Sequence, residues 1–170
     1  MSNTFDSRVV GPQLLEFLQA CQRRVSFHLG GGAALAGVYL RHRLSADADL
    51  FFHDKDAHRD LVRALPEICI ETGSKVQILR DAGGFVRAQI QTDERSLELD
   101  FVFDSVADLD PPTAPVEGIM VESLTDLRAN KLTCILSRSE PRDLVDLLFL
   151  DRAGHPPVSG RAAPDEWLPG

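Results

Sequence analysis

Pairs of aspartates separated by one residue recur in this sequence, and one pair lies where it could do chemistry. Asp47 and Asp49 fall in an apolar stretch, and side chains two residues apart on a β-strand point in the same direction. Both carboxylates would then converge, whereas Ala46, Ala48 and Leu50 would face the other side. Convergent carboxylates make a hard-oxygen site that suits Mg²⁺ or Mn²⁺ carrying a phosphate.

A glycine turn, Gly30 to Gly32, precedes this pair by one predicted helix. Glycines between a strand and a helix let backbone N–H groups approach a phosphate, and the helix N-terminus favours an anion there. From these residues alone, a phosphate-binding turn and an ordinary tight turn beside a solvated strand end are equally open.

Asp100 supplies a third carboxylate from the alternating segment 96–104. It lies in mid-strand opposite an apolar face, where an unpaired charge is costly if it is covered. Three aspartates on adjacent strands could hold one or two divalent ions and position an in-line phosphoryl attack. The alternative is an amphipathic strand with a wet outer face. Two more pairs with the same spacing, Asp54/Asp56 and Asp108/Asp110, are interpreted as solvated loop residues.

The last two predicted helices carry charges at helical spacing. Lys131 lies among leucines and an isoleucine, so it either contacts a triphosphate or is a snorkelling side chain. Arg142 and Asp146 are four residues apart and could pair on one helix face, with Asp143 beside them.

The helices and strands that would position these residues can be predicted from the hydrophobic periodicity and the turn residues of the sequence. The order is helix, strand, helix, strand, helix, three strands and two helices, which predicts an α+β domain around one mixed sheet. Pro66 is expected to kink or split the third helix. The predicted helices cover 9–24, 33–43 and 57–72, with a fourth that starts at Ser123 and a fifth that starts at 139–141 and runs to about 150. The predicted strands cover 25–29, 49–53, 75–80, 85–92 and 96–104, and 116–121 is a candidate for one more short strand.

The length and composition of the sequence indicate which class of protein it encodes. With 170 residues, 44% of them hydrophobic, the chain predicts one globular domain over 1–150 and a Pro/Gly-rich tail over 151–170, pinned by Trp167. No apolar run is long enough to span a membrane, and no secretory signal is apparent. Three separated cysteines favour a reducing cytoplasm, and the histidines show no zinc-ligand spacing with them.

The balance of acidic and basic residues indicates which partners the protein could bind. Eighteen basic and twenty-six acidic residues give a formal charge of −8, which argues against a broad nucleic-acid-coating surface, and no DNA partner is expected. A narrow basic pocket stays compatible with this sum, because local placement matters more than net charge.

Four blocks, in order, resemble the nucleotidyltransferase superfamily and, within it, the AbiEii-type toxins of type IV toxin–antitoxin systems. The blocks are Gly31-Gly32 followed by the Arg-x-Ser-x-Asp-x-Asp-Leu-Phe stretch 43–51, then 97–100, 126–131, and 137–138 with 142–147. Ala33 departs from the family, which often has threonine or serine there.

This resemblance implies a nucleotidyltransferase-like mixed sheet with C-terminal helices and transfer of an NMP from an NTP to an acceptor hydroxyl. The acceptor would be a tRNA or other RNA 3′ end, and an antitoxin protein would be a partner. The implied metal ligands are Asp47, Asp49 and Asp100, and the implied nucleotide-binding residues are Gly31, Gly32, Ser45, Lys131, Arg142, Asp143 and Asp146. Alternatives are a small-molecule or protein acceptor, or an inactive nucleotide- or partner-binding module of the same fold.

Overall fold

A five-stranded mixed sheet forms the centre of the protein. The computed structural model describes residues 4–93, 95–138 and 140–154. The strands are β1 (His28–Gly30), β2 (Asp47–Phe52), β3 (Lys75–Asp81), β4 (Phe85–Gln91) and β5 (Ser96–Phe103). They lie in the order β1-β2-β5-β4-β3; β2 and β5 run parallel, and the other neighbouring strands are antiparallel. The predicted α+β class is confirmed.

Helices flank this sheet and begin at recognisable signals. Pro12 stands at the first position of its helix, and the Asp54 carboxylate accepts from the Asp56 N–H at 2.8 Å to cap another. Ser123 caps a third by accepting from the Asp126 N–H. The helices are α1 (Pro12–Gln22), α2 (Gly31–Ala34), which continues as a π-helical turn (Leu35–Tyr39), α3 (Lys55–Thr72), α4 (Leu124–Ser137) and α5 (Pro141–Arg152).

Burial alternates along β2, as the sequence pattern predicts. Ala48, Leu50 and Phe52 are buried in the core, whereas Asp47 and Asp49 lie on the opposite, partly exposed face. The apolar set is held in the core by the hydrophobic effect, which therefore fixes the direction of both carboxylates.

The third helix does not break at Pro66, so the predicted split is wrong. Helix α3 runs through the proline and buries Leu61, Leu65 and Ile68 completely. A proline inside a helix costs about 3 kcal/mol. Each buried leucine or isoleucine contributes about 1.5–3 kcal/mol, so packing against the sheet outweighs the proline.

Two further elements differ from the prediction. The second helix starts at Gly31 and ends in the π-helical turn at Tyr39, rather than spanning 33–43. The predicted strand 116–121 forms isolated bridges only, because Glu117 and Gly118 take φ values of 48° and 84° and reverse the chain between Val116 and Ile119.

Among the helices of the described residues, none is both long and apolar enough to cross a bilayer. The predicted tail beyond residue 154, including Trp167, lies outside the described residues.

Candidate active site

Strand pairing brings the three predicted aspartates to one face of the sheet. In the parallel pair of β2 and β5, Asp49 lies directly opposite Asp100, and Asp47 lies opposite Glu98. Because side chains two apart share a face, Asp47, Asp49 and Asp100 form one group, called here the aspartate cluster. Burial, followed by the charges of Asp47 and Asp100, raises the pKa of Asp49 to about 6.

Arginines neutralise two members of the aspartate cluster. Arg87 on β4 lies opposite Asp100 and donates two hydrogen bonds to its carboxylate, each 2.7 Å long. Arg142 Nη1 lies 2.9 Å from Asp47 Oδ2, and Ser45 Oγ donates to Asp47 Oδ1 at 3.2 Å. Asp100 is buried, so the alternative of a wet outer face is wrong for this residue.

The donor chemistry of the aspartate cluster fits a hard divalent cation, since it consists of carboxylate oxygens. Within the described residues the three carboxylates do not place one oxygen each within 4.8 Å of the others. Asp47 and Asp100 are instead engaged by Arg142 and Arg87, at 2.9 Å and 2.7 Å. A bound cation would have to replace these guanidinium groups as the counter-charge.

The glycine turn packs directly against the aspartate cluster. Gly31 has a φ of +61°, and a Cβ there would lie 1.8 Å from Asp49 Oδ2. A Cβ on Gly32 would lie 2.6 Å from Arg43 Nη2 and 2.7 Å from Ser45 Oγ. Gly31 is therefore needed for this close approach, which brings the start of α2 to Asp49, whereas a side chain at Gly32 would require Arg43 and Ser45 to shift.

Replacing Gly31 with alanine is expected to lower the free energy of unfolding by about 2–4 kcal/mol. The left-handed backbone contributes about 1–2 kcal/mol, and the clash with Asp49 adds the rest. Gly83→Ala is the matched control, because Gly83 has a φ of +76° but a Cβ at this position would meet nothing within 4 Å. The free energies of unfolding of both variants, measured by urea denaturation, separate the cost of the clash from the cost of the left-handed backbone. Equal losses in the two variants would show that the clash with Asp49 costs nothing.

Lys131 lies in a buried ionic network instead of on the helix surface. Its Nζ lies 2.8 Å from Asp143 Oδ1 and 2.8 Å from Asp146 Oδ2, and all three side chains are nearly inaccessible to solvent. Burial opposes the charge of Lys131, yet its two carboxylate partners raise its pKa. The snorkelling alternative is therefore wrong.

Arg43 and His42 complete this network from the other side. Arg43 donates to both oxygens of Asp146, at 2.7 and 2.8 Å, and His42 Nε2 contacts Oδ1 at 2.7 Å. Although burial opposes ionisation, hydrogen bonds from Arg43, His42 and Lys131 hold the pKa of Asp146 far below its usual value. The predicted pair of Arg142 with Asp146 does not form, because Arg142 turns to Asp47 and Asp146 is fully engaged.

Sequence reasoning missed Arg87 and Glu122. The signal for Arg87 was its alternation along β4, but its partner depends on strand register. Glu122 is buried just before the N-cap of α4; its Oε1 accepts from Asn130 Nδ2 at 2.7 Å, and its Oε2 has no hydrogen-bond partner among the described residues. Burial, followed by the charges of Asp126, Asp108 and Asp49, raises the pKa of Glu122 to about 8.

Glu122 is expected to make stability fall as pH rises. A carboxyl whose pKa is about 8 when folded and 4.5 in its ordinary state stabilises the fold below pH 4.5, and this contribution is lost as pH rises towards 8. The slope from this group approaches about 1.4 kcal/mol per pH unit. Glu122→Gln should remove that slope in urea denaturation at pH 5 to 8, whereas the exposed Glu67→Gln should keep it. A Glu122→Gln profile parallel to wild type would contradict this.

The family is decided by a match that covers most of the chain. Residues 13–166 match the model of the family described as nucleotidyl transferase AbiEii toxin, type IV TA system. The chain belongs to this family. The AbiEii match thus confirms the resemblance carried by the four sequence blocks. No curated protein matches the chain.

Solved structures share the fold. JHP933 from Helicobacter pylori has a TM-score of 0.58 at 23% identity, with 82% of this chain and 64% of that chain covered. MenT4, a nucleotidyltransferase toxin from Mycobacterium tuberculosis H37Rv, has a TM-score of 0.61 at 18% identity, covering 78% of this chain and 54% of that chain. This AbiEii-family chain therefore spans less than two thirds of the length of either protein.

Proposed function

We propose that this chain is a divalent-metal-dependent nucleotidyltransferase that transfers an NMP from an NTP to an acceptor hydroxyl, as a toxin of a toxin–antitoxin system. The observation that carries the proposal is the register of β2 and β5, which sets Asp49 against Asp100 with Asp47 on the same face. Family membership supports the same reaction and an antitoxin partner.

The aspartate cluster would hold Mg²⁺ or Mn²⁺, which supplies charge neutralisation at the transferring phosphate. Asp47, Asp49 and Asp100 would be its ligands, and Asp100 would also help to take the proton of the attacking hydroxyl. The raised pKa of Asp49 reflects its burial beside two like charges, and a cation would relieve their repulsion.

Arg87 and Arg142 would then take a second role. Both line a cavity of about 480 Å³ that also contains Asp47 and Arg138. If a cation replaces them at Asp47 and Asp100, Arg142 keeps Glu140 at 2.7 Å and Arg87 keeps Glu98 at 3.7 Å, and their remaining N–H groups face this cavity. A planar guanidinium group can donate two parallel hydrogen bonds to the oxygens of one phosphate. Arg87 and Arg142 would therefore bind the triphosphate or an RNA backbone.

The glycine turn and the ionic network would shape the rest of the nucleotide site. Gly31 and Gly32 would bring backbone amides to the phosphates beside Asp49, close to Ser45. Asp143 and Asp146 would hold Lys131 in place, so that its charge remains near the cluster, where it offsets a part of the rise in the Asp49 pKa caused by burial and the neighbouring aspartates.

An RNA 3′ end is the proposed acceptor, because the arginine-lined cavity lies next to the aspartate cluster. The net charge of −8 favours a small-molecule acceptor instead, since it disfavours long nucleic-acid contacts. A direct transfer assay distinguishes between these two acceptors.

The deciding experiment incubates the protein with each NTP labelled at its α-phosphate, Mg²⁺ or Mn²⁺, and total tRNA. Wild type is expected to label RNA, and Asp47→Ala/Asp49→Ala is not. Label on the protein itself would identify a protein acceptor. No label in any fraction, with NTP binding retained, would overturn the RNA acceptor and favour a binding module or a small-molecule acceptor.

A further inference from the structure

Two histidines and an aspartate meet at the far end of β1 and β2 from the glycine turn. In the described residues, His28, His53 and Asp108 are the one group of three metal-ligating side chains whose ligand atoms all lie within 4.8 Å of one another. His53 Nε2 lies 2.9 Å from Asp108 Oδ1, and His28 Nδ1 lies 3.6 Å from Asp108 Oδ2. The interpretation of Asp108 as a solvated loop residue is therefore wrong.

These nitrogen–oxygen distances are close to the distance between two ligand atoms that bind the same metal ion. Imidazole nitrogens and carboxylate oxygens bind Zn²⁺ tetrahedrally at about 2.0–2.2 Å, so neighbouring ligand atoms lie about 3.3–3.5 Å apart. The 2.9 and 3.6 Å distances bracket that interval, so small side-chain movements are enough to admit an ion.

The ring of His53 is already oriented as a ligand. Its Nδ1 lies 2.9 Å from the Asp104 carbonyl oxygen, which only accepts hydrogen bonds, so Nδ1 carries the proton. Nε2 lies 2.9 Å from Asp108 Oδ1, an oxygen that also only accepts, so Nε2 donates as well; a metal ion would take the place of that proton and bind the Nε2 lone pair. A histidine that donates one N–H to a carbonyl while its other nitrogen binds metal is the usual arrangement in protein metal sites.

His28 offers a second nitrogen that nothing else uses. Its Nδ1 is buried and has no hydrogen-bond partner among the described residues. Strand pairing fixes its position, since His28 lies opposite Phe51 at the start of β1. A buried polar atom without a partner is costly unless something binds it.

The loop that carries Asp108 is held on both sides of this residue. The Val106 N–H donates to Asp104 Oδ1 at 2.8 Å, and the Leu109 N–H donates to Asp126 Oδ1 at 2.8 Å. These contacts orient the Asp108 carboxylate towards the two rings without any help from a metal. The site is therefore largely pre-formed, which favours binding.

We propose that His28, His53 and Asp108 form a transition-metal site, distinct from the aspartate cluster. Two imidazoles and one carboxylate favour Zn²⁺, Co²⁺ or Fe²⁺ over Mg²⁺, which prefers oxygen ligands. The ion ties the loop of Asp108 to the end of β2, beside a cavity of about 350 Å³ that Glu122 and Asn130 also line. The proposal does not depend on the nucleotidyltransferase reaction.

The test titrates the metal-free full chain with Co²⁺ and follows its visible absorption, with Zn²⁺ as a competitor. Wild type is expected to show one saturable ligand-field band of bound Co²⁺ that Zn²⁺ abolishes. His53→Ala and Asp108→Asn should weaken Co²⁺ binding at least about 100-fold. Asp110→Asn, in the same loop, and Asp49→Asn, in the aspartate cluster, should leave the band unchanged.

Each outcome bears on the proposal. Absence of a saturable band in wild type would overturn it, as would a band that survives in both His53→Ala and Asp108→Asn. A band lost only in Asp49→Asn would assign the ion to the aspartate cluster and also overturn it. If His53→Ala does not fold by circular dichroism, Asp108→Asn decides, since it keeps the shape of the side chain.

Discussion

Asp49→Asn is expected to reduce nucleotidyl transfer at least about 10³-fold, equivalent to about 4 kcal/mol of transition-state stabilisation. The substitution removes the carboxylate that lies opposite Asp100 and against Gly31 while keeping the side chain's size. Label transfer from NTP to acceptor, measured under single-turnover conditions, gives the rate.

The same substitution should not weaken the fold. The pKa of Asp49 is about 6 in the folded protein, above its ordinary 3.8, so the ionised carboxylate destabilises the fold at neutral pH. The asparagine side chain carries no charge, and the free energy of unfolding at pH 7 should stay the same or rise by about 1–2 kcal/mol.

Asp60→Asn is the matched control for this variant. Asp60 is an exposed aspartate on α3, so neither transfer nor stability should change. Full transfer by Asp49→Asn would contradict the role of Asp49, and lost transfer together with a large loss of stability would point to misfolding instead.

Asp146→Ala is expected to lower the free energy of unfolding by about 3–5 kcal/mol, because it leaves buried charges without a partner. Asp146 is fully buried and contacts Lys131, Arg43 and His42 within 2.8 Å. Asp143 alone would then have to neutralise Lys131. Urea denaturation, with the midpoint and the slope both fitted, measures the loss.

Asp151→Ala on the same helix provides the comparison. Asp151 pairs with Arg128 at 2.7 Å, but its side chain is 55% exposed. Arg128 is buried but water reaches Asp151, so this pair is partly screened and the loss should be smaller than for Asp146→Ala, about 1 kcal/mol. A loss for Asp146→Ala no larger than that for Asp151→Ala would show that the network does not stabilise the fold.

Much of the fold could be predicted because short-range patterns agree with the final packing. The alternation in β2 and β5 correctly separates the core face from the acidic face, and Ser123 with Asp126 marks the start of α4. The predicted split at Pro66 fails because tertiary packing decides there: α3 continues through the proline with its apolar face buried.

The site could be predicted less completely. The spacing of Asp47 and Asp49 is local, so their shared face follows from the sequence alone. The partners of Arg87 and Arg142 depend on strand register and on the docking of α5, which no local pattern encodes. The group of His28, His53 and Asp108 draws on three separate segments, so spacing rules could not find it.

The parallel pairing of β2 with β5 also has a consequence during synthesis on the ribosome. Asp49 meets Asp100 only after α3, β3 and β4 have been made, a loop of about fifty residues whose closure slows folding. Lys131 finds its carboxylate partners only when α5 has emerged. A nascent chain therefore has both the aspartate cluster and the ionic network in place only after its last described helix has been translated, and the proposed transfer activity would be withheld until then.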